Sequence, residues 1–215
     1  MLVEEIMKKD AVTLGKDATI EEAMLLLEKH RIRHIPILEE DNTIAGIVSD
    51  RDVRDASPSI FHTNEHLEDY QKPVSTIMKY PVITAHPLDF VEEVASVLYE
   101  HQINCLPIAA EDDKFLGLIT GTDILHTLVE LTGAHQPSSQ IEIKVPNISG
   151  QLAEIANILR ENNVNVTSVL VYPHKDVSYK IITVRVQTMD PRGVIKAIKS
   201  KGFEIYWPIQ LEPGL

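Results

Sequence analysis

Residues 44–52, with the sequence IAGIVSDRD, return 71 positions later as residues 115–123, FLGLITGTD. Each stretch is a short apolar run that contains a glycine, followed by Ser49 or Thr120 and, three residues on, by Asp52 or Asp123. A unit of roughly 55 residues that occurs only twice is too short an array for a solenoid, which needs at least three repeats. The offset therefore predicts one pseudo-symmetric domain with a twofold axis, and paired clefts at such an axis suit small ligands.

The constant offset extends through the first 127 residues and gives each copy the order strand, helix, strand, strand, helix. Thr19 followed by Glu22 is a capping-box signature that predicts the start of the first helix. The second copy is predicted to use Asp89 as its cap, with Glu92 as the acidic partner. Proline within the strand segments predicts a sheet edge or a strand end, because proline removes a ladder donor. The matched segments are Ile6-Met7-Lys8 with Ile77-Met78-Lys79, Glu21-Glu22 with Glu92-Glu93, and Pro36-Ile37 with Pro107-Ile108.

The Ser/Thr-x-x-Asp pattern at the end of each repeat has two interpretations. A hydroxyl, free backbone N–H groups and a carboxylate around one helix start can hold a phosphate and a ribose diol. The same residues can equally act only as helix caps. Both interpretations stay open on the pattern alone.

A different pattern begins near residue 140. Ile141, Ile143 and Val145 alternate with polar residues as in a half-buried strand. A helical stripe follows, then two strands, a helix that Gly202 closes, and a last strand, in the order βαββαβ. The stripe of the first helix comprises Leu152, Ile155, Ala156 and Leu159.

Composition narrows the classes of function. The 20 basic and 32 acidic residues give a net charge of -12, which disfavours nucleic-acid binding. Cys105 is the only cysteine, no apolar run is long enough for a membrane span, and the acidic start differs from a signal peptide, so a cytoplasmic protein is expected. Catalytic motifs are absent, which indicates that the protein is not an enzyme. The one helical histidine pair, His62 and His66, lies in a polar segment where solubility explains it as well as metal binding does.

The repeats resemble the CBS motif, here as a tandem pair of the Bateman type, on the apolar-Pro-apolar segments and the Gly-Ile-Val-Ser-x-x-Asp sequence. The resemblance implies that adenosine ligands lie in the clefts: AMP, ADP or ATP, and in some members NAD or S-adenosylmethionine. No other cofactor is required. It also implies that Asp52 and Asp123 hold ribose and that Ser49 and Thr120 meet phosphate. The adenine pockets would be lined by Thr13 and Thr84 and by the backbone beside Ile35-Pro36 and Leu106-Pro107.

The C-terminal part resembles an ACT domain, on the βαββαβ order, on Gly150-Gln151-Leu152 and on Asn165-Val166. ACT domains usually bind amino acids at the first strand-to-helix turn, which here comprises Asn147, Gly150 and Leu152. The aspartate that is usual in that turn is replaced here by Asn147, so the carboxylate that could pair with an amino group is missing. Dimerisation is therefore favoured over amino-acid binding. The expected fold class is α/β (α+β type). The expected segments are a first CBS repeat at 1–56, a connector at 57–73, a second CBS repeat at 74–131, a linker at 132–139 and a ferredoxin-like ACT domain at 140–210.

The whole order also resembles acetoin-utilisation proteins of the AcuB type, which implies a role in acetoin or butanediol catabolism. We therefore expect a homodimeric sensor of adenine nucleotides that acts on an unidentified protein target, without nucleic acid or membrane. The rival hypotheses are a constitutive dimerisation scaffold with empty clefts and an accessory subunit of a deacetylase or dehydrogenase. Arg33 and Arg51 belong to the first repeat only, so the first cleft is expected to prefer di- or triphosphates.

Overall fold

The computed structural model describes residues 1–56 and 67–208. Residues 57–66 of the expected connector, with His62 and His66, lie outside the described residues, as do positions 209 and 210 at the end of the expected ACT domain. The chain divides into two compact units, Met1–Leu125 and His126–Leu215.

The first unit contains both sequence repeats. The first repeat shows the predicted order of strand, helix, strand, strand and helix, while in the second the leading strand is reduced to a single parallel bridge between Ala85 and Ile108. Helix α4 begins in this unit and continues into the next. The elements are β1 (Leu14–Gly15), α1 (Ile20–His30), β2 (His34–Leu38), β3 (Ile44–Ser49), α2 (Asp50–Ala56), α3 (Val91–Glu100), β4 (Cys105–Ala109), β5 (Phe115–Thr120) and α4 (Gly121–Thr132).

The predicted capping box is confirmed in the first repeat only. Glu22 N donates to Thr19 Oγ1 at 3.1 Å, and Thr19 N donates to Glu22 Oε2 at 2.8 Å. In the second repeat the prediction of Asp89 as cap is wrong, because α3 begins at Val91 after Phe90. The Asp89 carboxylate is already committed to the preceding turn, where it accepts a 2.7 Å hydrogen bond from His86 N.

The prediction that proline marks a sheet edge is wrong for Pro36 but confirmed for Pro107, which lies on β4 of the two-stranded sheet β4-β5. The sheet order is β1-β2-β3, so β2 with Pro36 is an inner strand and the edge prediction is wrong there. The two-residue β1 pairs only with Ile37 and Leu38. In the second repeat Ala85 N donates to Pro107 O at 3.1 Å, so the ladder on this side uses the carbonyl of the proline and needs no N–H from it.

The leading segment of each repeat, residues 3–8 in the first and 74–79 in the second, packs on the other repeat. Val3 is fully buried against Val94, Leu98 and Leu106 of the second repeat, and Val74 is fully buried in the core of the first. Burying each valine contributes about 1.5–3 kcal/mol. The two repeats are therefore interlocked and share their cores.

The second unit confirms the βαββαβ prediction. Its four-stranded sheet has the order β7-β8-β6-β9, which is the ferredoxin-like arrangement. The helices cover one face, and the core includes Ile155, Ile158 and Leu159 of α5, so the predicted stripe is wrong at Leu152 and Ala156, which are exposed. The elements are β6 (Ser139–Pro146), α5 (Gln151–Glu161), β7 (Val166–Pro173), β8 (Tyr179–Val186), α6 (Arg192–Ser200) and β9 (Glu204–Trp207).

Gly202 ends α6 as the sequence predicts. Its φ of 89° is in the left-handed region, which glycine adopts without steric cost. Gly202 N donates to Lys199 O at 3.0 Å, and Phe203 N donates to Ile198 O at 3.4 Å. These bonds satisfy carbonyl groups at the end of the helix.

Candidate functional site

The first candidate cluster forms where β3 passes into α2. The antiparallel register places His34 of β2 opposite Ser49 at the end of β3. Asp50 N donates to Arg33 O at 2.9 Å, which fixes the turn into the helix. In the second repeat Cys105 lies opposite Thr120, and Gly121 N donates to Asn104 O at 3.1 Å. The two clusters are thus built in the same way, 71 residues apart.

Each hydroxyl residue is tied to the aspartate three residues later. Ser49 N donates to Asp52 Oδ2 at 2.8 Å, the Ser49 hydroxyl donates to the same oxygen, and Asp52 N donates back to Ser49 Oγ at 3.2 Å. Thr120 N donates to Asp123 Oδ2 at 2.9 Å, and Thr120 Oγ1 donates to that oxygen at 2.6 Å. Ser49 and Thr120 therefore cap their helices, with the aspartate three residues later as the partner, which was one of the two interpretations of the sequence pattern.

The aspartates are held as carboxylates. Burial alone would raise the pKa of Asp52, but hydrogen bonds from Ser49 and Lys79 outweigh burial and hold that pKa below its ordinary value. The same balance lowers the pKa of Asp123, with hydrogen bonds from Lys8 and Thr120 opposing burial. Two negatively charged acceptors are thus fixed in similar surroundings.

A lysine from the opposite repeat reaches each carboxylate. Lys8 Nζ lies 2.7 Å from Asp123 Oδ1, and Lys79 Nζ lies 3.3 Å from Asp52 Oδ1. The repeat pattern pairs these two lysines but indicates no role for them. The offset of 71 was the available signal, because it relates both the lysines and their aspartate partners.

His34 and Cys105 occupy equivalent positions next to the aspartates. Burial lowers the pKa of His34, and the charges of Asp50 and Asp52 oppose this only in part. Burial and the charge of Asp123 raise the pKa of the Cys105 thiol to about 12. A neutral, partly or fully buried side chain therefore lies beside each carboxylate.

The residues expected to line the adenine pockets are placed differently from one another. Ile35 and Leu106 are fully buried, and Pro36 and Pro107 are buried too, backbone included. Thr84 is exposed. Thr13 is half-buried and lines a groove of about 800 Å³ together with residues of the turn after β2, but Ser49 and Asp52 do not line this groove.

Two of the four arginines of the first repeat, Arg33 and Arg51, were expected at the site but do not belong to the bonded cluster. Arg33 and Arg51 are both exposed. Arg33 contributes its carbonyl oxygen to the turn, while its side chain, like that of Arg51, extends toward solvent. A phosphate at this cluster would have to draw them inward.

Hydrogen bonds of Asn147 and the backbone conformation of Gly150 define the expected effector turn of the second unit. Asn147 Nδ2 donates to Val177 O at 3.2 Å, and Asn147 N donates to Ser178 O at 2.8 Å, so this amide joins the turn to the β7–β8 connection. Gly150 has a φ of 90°, and a Cβ there would meet nothing within 4 Å. Glycine is thus required at this position by the backbone conformation and not by close packing. Leu152 is 46% exposed.

No helix within residues 1–56 and 67–208 is long and apolar enough to span a membrane. In that part of the chain, three or more His, Cys, Asp or Glu side chains do not come together as metal ligands would.

The architecture and the repeated cluster define a pair of interlocked regulatory repeats followed by a ferredoxin-like domain. The CBS domain family matches residues 3–59 and 74–130, and the ACT domain family matches residues 139–203. The chain belongs to the CBS domain family, and its two CBS domains are followed by an ACT domain. Both kinds of domain are regulatory modules.

Relatives match mainly the CBS part. A CBS domain-containing protein of Dictyostelium discoideum is 28% identical over 143 residues, which is 65% of this chain and 99% of that protein. Homoserine O-acetyltransferases and inosine-5'-monophosphate dehydrogenases are also similar, but this chain spans only 25% of the length of the first of each.

Two solved structures share the fold. The CBS domain pair of protein MJ0100, in complex with 5'-methylthioadenosine and S-adenosyl-L-methionine, is 29% identical with a TM-score of 0.52, and the match covers 63% of this chain and 98% of that one. A putative acetoin utilization protein (AcuB) from Vibrio cholerae is 29% identical with a TM-score of 0.55 and coverages of 65% and 98%.

Proposed function

We propose that this protein is a cytosolic regulator that senses adenine nucleotides through its CBS pair and passes the signal to a protein target through its ACT domain. The observation that carries the proposal is the pair of ionised, hydrogen-bonded aspartates, Asp52 and Asp123, at equivalent places in the two repeats. A fixed carboxylate can accept hydrogen bonds from a ribose diol. The adenosine ligands of the related MJ0100 pair support this chemistry.

The pathway is proposed on similarity alone. The likeness to the AcuB protein of Vibrio cholerae favours acetoin or butanediol catabolism. A ligand can signal only if it binds one arrangement of the protein more tightly than another. If the protein acts in that pathway, deletion of its gene should impair growth on acetoin or butanediol and leave growth on glucose normal. Normal growth on all three carbon sources would contradict the pathway.

Replacement of either aspartate tests nucleotide binding. Asp52→Ala and Asp123→Ala each remove charged hydrogen bonds worth about 1.5–3 kcal/mol, so the affinity of the altered cleft should fall about ten- to a hundredfold. Calorimetric titration with AMP, ADP and ATP measures the loss. Unchanged affinity in both variants would show that the aspartates serve only in the helix caps.

A matched control separates the loss of a cap from the loss of a ligand contact. Glu22 completes the capping box of α1 through its 2.8 Å bond to Thr19 N and lies in neither cluster. Glu22→Ala should lower the free energy of unfolding about as much as the aspartate variants do, by about 0.5–2 kcal/mol. Its nucleotide affinity should equal that of the parent.

The proposal includes a homodimer. Helix α4 exposes a row of leucines, and β7, an edge strand of its sheet, exposes four consecutive apolar or aromatic side chains. Such surfaces favour association with a second copy, most often with twofold symmetry. The residues are Leu125, Leu128, Leu131, Val169, Leu170, Val171 and Tyr172.

Light scattering tests the dimer with two variants and a control. The parent should have twice the 24.1 kDa mass of the chain. Leu128→Glu and Val171→Glu each place a charge on one of the two exposed surfaces, and at least one should yield the monomer. Met189→Glu, at an isolated residue that is 78% exposed, should leave the dimer intact. A monomeric parent at micromolar concentration would exclude the homodimer.

The alternative function is a constitutive scaffold that dimerises with empty clefts. It is favoured by the same exposed surfaces and by the lysines that already neutralise both aspartates. A thermal-shift series with AMP, ADP, ATP, NAD and S-adenosylmethionine distinguishes the two functions. A ligand at a hundred times its dissociation constant should add about 2.7 kcal/mol of apparent stability. No shift with any of them would favour the scaffold.

A further inference from the structure

The two lysine–aspartate pairs have an arrangement that suits a change of partner. Their aspartate side chains are only 13–14% exposed, whereas the lysine side chains are 58% and 70% exposed. The carboxylates are therefore held in place by the fold, while each ammonium group lies at the end of a flexible stem in contact with solvent.

The backbone of each lysine is fixed on the opposite repeat. Lys8 N donates to Leu118 O at 2.8 Å, and Leu118 N donates to Lys8 O at 3.0 Å. Lys79 and Ile47 exchange equivalent bonds of 2.9 and 3.1 Å. Both ammonium groups are thus delivered to the clusters from a defined point, and each can swing through only the length of its own side chain.

A ribose diol cannot share the carboxylate with the lysine. A carboxylate has about four acceptor positions, two on each oxygen. Asp52 Oδ2 accepts both the backbone N–H and the hydroxyl of Ser49, and Oδ1 accepts Lys79. At least three positions are in use, so a ligand that offers two hydroxyl donors must displace the ammonium group.

A displaced ammonium group needs another anion close by, because an unpaired charge beside a half-buried site is costly. The phosphate of an adenosine phosphate supplies that anion within the same ligand. Adenosine and 5'-methylthioadenosine carry no such anion. The carboxylate of S-adenosylmethionine is offset by its own ammonium group, so the sulfonium leaves a net positive charge that the lysine repels.

We propose that Lys8 and Lys79 are the phosphate-recognition residues of the two clefts, each serving the cleft of the opposite repeat, and that they select anionic adenosine phosphates over neutral or cationic adenosine compounds. This inference rests on the proposed nucleotide binding and names its ligand class. When a ligand binds, each lysine moves from the aspartate to the phosphate. The contact between the leading segment of one repeat and the cluster of the other then depends on the ligand.

Calorimetric titration of the full chain with adenosine, ADP and S-adenosylmethionine tests the selection. In the double variant Lys8→Met/Lys79→Met the affinity for ADP should fall at least tenfold, while the affinities for adenosine and S-adenosylmethionine should stay equal or rise. Lys8→Arg/Lys79→Arg keeps both charges and should retain the preference for ADP. Lys114→Met is the matched control, since Lys114 also pairs across the repeats, with Asp41 at 3.0 Å, but away from both clusters.

The outcomes separate this inference from the proposed function. Suppose that the parent binds ADP. If the double Met variant then loses affinity for ADP and for adenosine by the same factor, or keeps both affinities unchanged, the lysines do not select phosphate and the inference is overturned. If the parent binds none of the three compounds, nucleotide sensing fails. In that case the double Met variant tests whether the lysines occupy the carboxylates. If the variant gains adenosine binding, the lysines block the carboxylates in the parent, and if it does not, the inference is overturned.

Discussion

Adding a methyl group at Gly117 should disrupt the docking of the first leading segment on the second repeat. A Cβ at this residue would lie 2.8 Å from the carbonyl oxygen of Lys8, which is backbone and cannot rotate away. At the equivalent Gly46 the nearest atom, at 2.7 Å, is the sulfur of Met78, a flexible side chain, and the backbone oxygen of Lys79 is 3.1 Å away. The same substitution at two equivalent positions therefore meets different resistance.

The expected magnitudes follow from these contacts. Gly117→Ala incurs overpacking of about 1–3 kcal/mol. It also strains the two hydrogen bonds between Lys8 and Leu118, each worth about 1 kcal/mol. We expect a total loss of about 2–4 kcal/mol in the free energy of unfolding. Gly46→Ala should lose about 1 kcal/mol or less, because Met78 can move and alanine restrains the unfolded chain.

Urea unfolding followed by far-UV circular dichroism and by tryptophan fluorescence measures these changes. Trp207 is the only tryptophan and lies in the second unit, so fluorescence reports that unit while dichroism reports both. Gly193→Ala is the control: a Cβ there meets nothing within 4 Å, and alanine within α6 should raise stability by about 0.5–1 kcal/mol. Equal losses in the free energy of unfolding for Gly46→Ala and Gly117→Ala would contradict the predicted difference between the two contacts.

Three further outcomes are expected. Folding lowers the pKa of His34, so as pH falls the unfolded chain takes up a proton before the folded chain does. The free energy of unfolding should therefore decrease as pH falls from about 6.5 toward the lower pKa of the folded state. His34→Gln should show a smaller decrease between pH 7 and 5, and identical pH profiles for parent and variant would contradict this. With a pKa of about 12, Cys105 should react with a thiol reagent at pH 8 far more slowly in the native protein than in urea, whereas equal rates would show that it is accessible. Arg51→Ala should weaken ATP binding more than AMP binding in calorimetry, and equal losses for both would remove the proposed phosphate preference of the first cleft.

Much of the fold could be predicted from local chemistry. The capping box of Thr19 and Glu22 and the left-handed Gly202 depend on neighbours within a few residues, and the structure places both as expected. The cap of α3 was missed although the offset of 71 pairs Thr19 with Phe90. Asp89 has the chemistry of a cap, but it lies one residue before the cap position, and its carboxylate accepts a hydrogen bond from His86 N instead.

The contacts across the repeats could not be predicted in the same way. Two identical apolar patterns specify that Val3 and Val74 are equivalent, but each valine could pack on its own repeat or on the other without any change in the pattern. The choice depends on how the chain closes in three dimensions. The pairing of Lys8 with Asp123 follows from that choice, which is why the sequence indicated the aspartates and not their partners.

Leu152 illustrates a different limit. The spacing of Leu152, Ile155, Ala156 and Leu159 fits a helical stripe, and so does that of Ile155, Ile158 and Leu159. The structure buries the second set and leaves both Leu152 and Ala156 exposed, so the buried face of α5 is turned toward Ile158. When the apolar spacing fits two overlapping stripes, periodicity does not decide which of them faces the sheet.

A crystal structure of the protein grown with excess ADP would show whether the aspartates hold the ribose and the lysines hold the phosphate. We expect ribose hydroxyls within hydrogen-bond distance of the Asp52 or Asp123 carboxylate, with Lys79 or Lys8 turned from that carboxylate to a phosphate oxygen. Nucleotide bound elsewhere, or both lysines still on their aspartates beside a bound ribose, would contradict it.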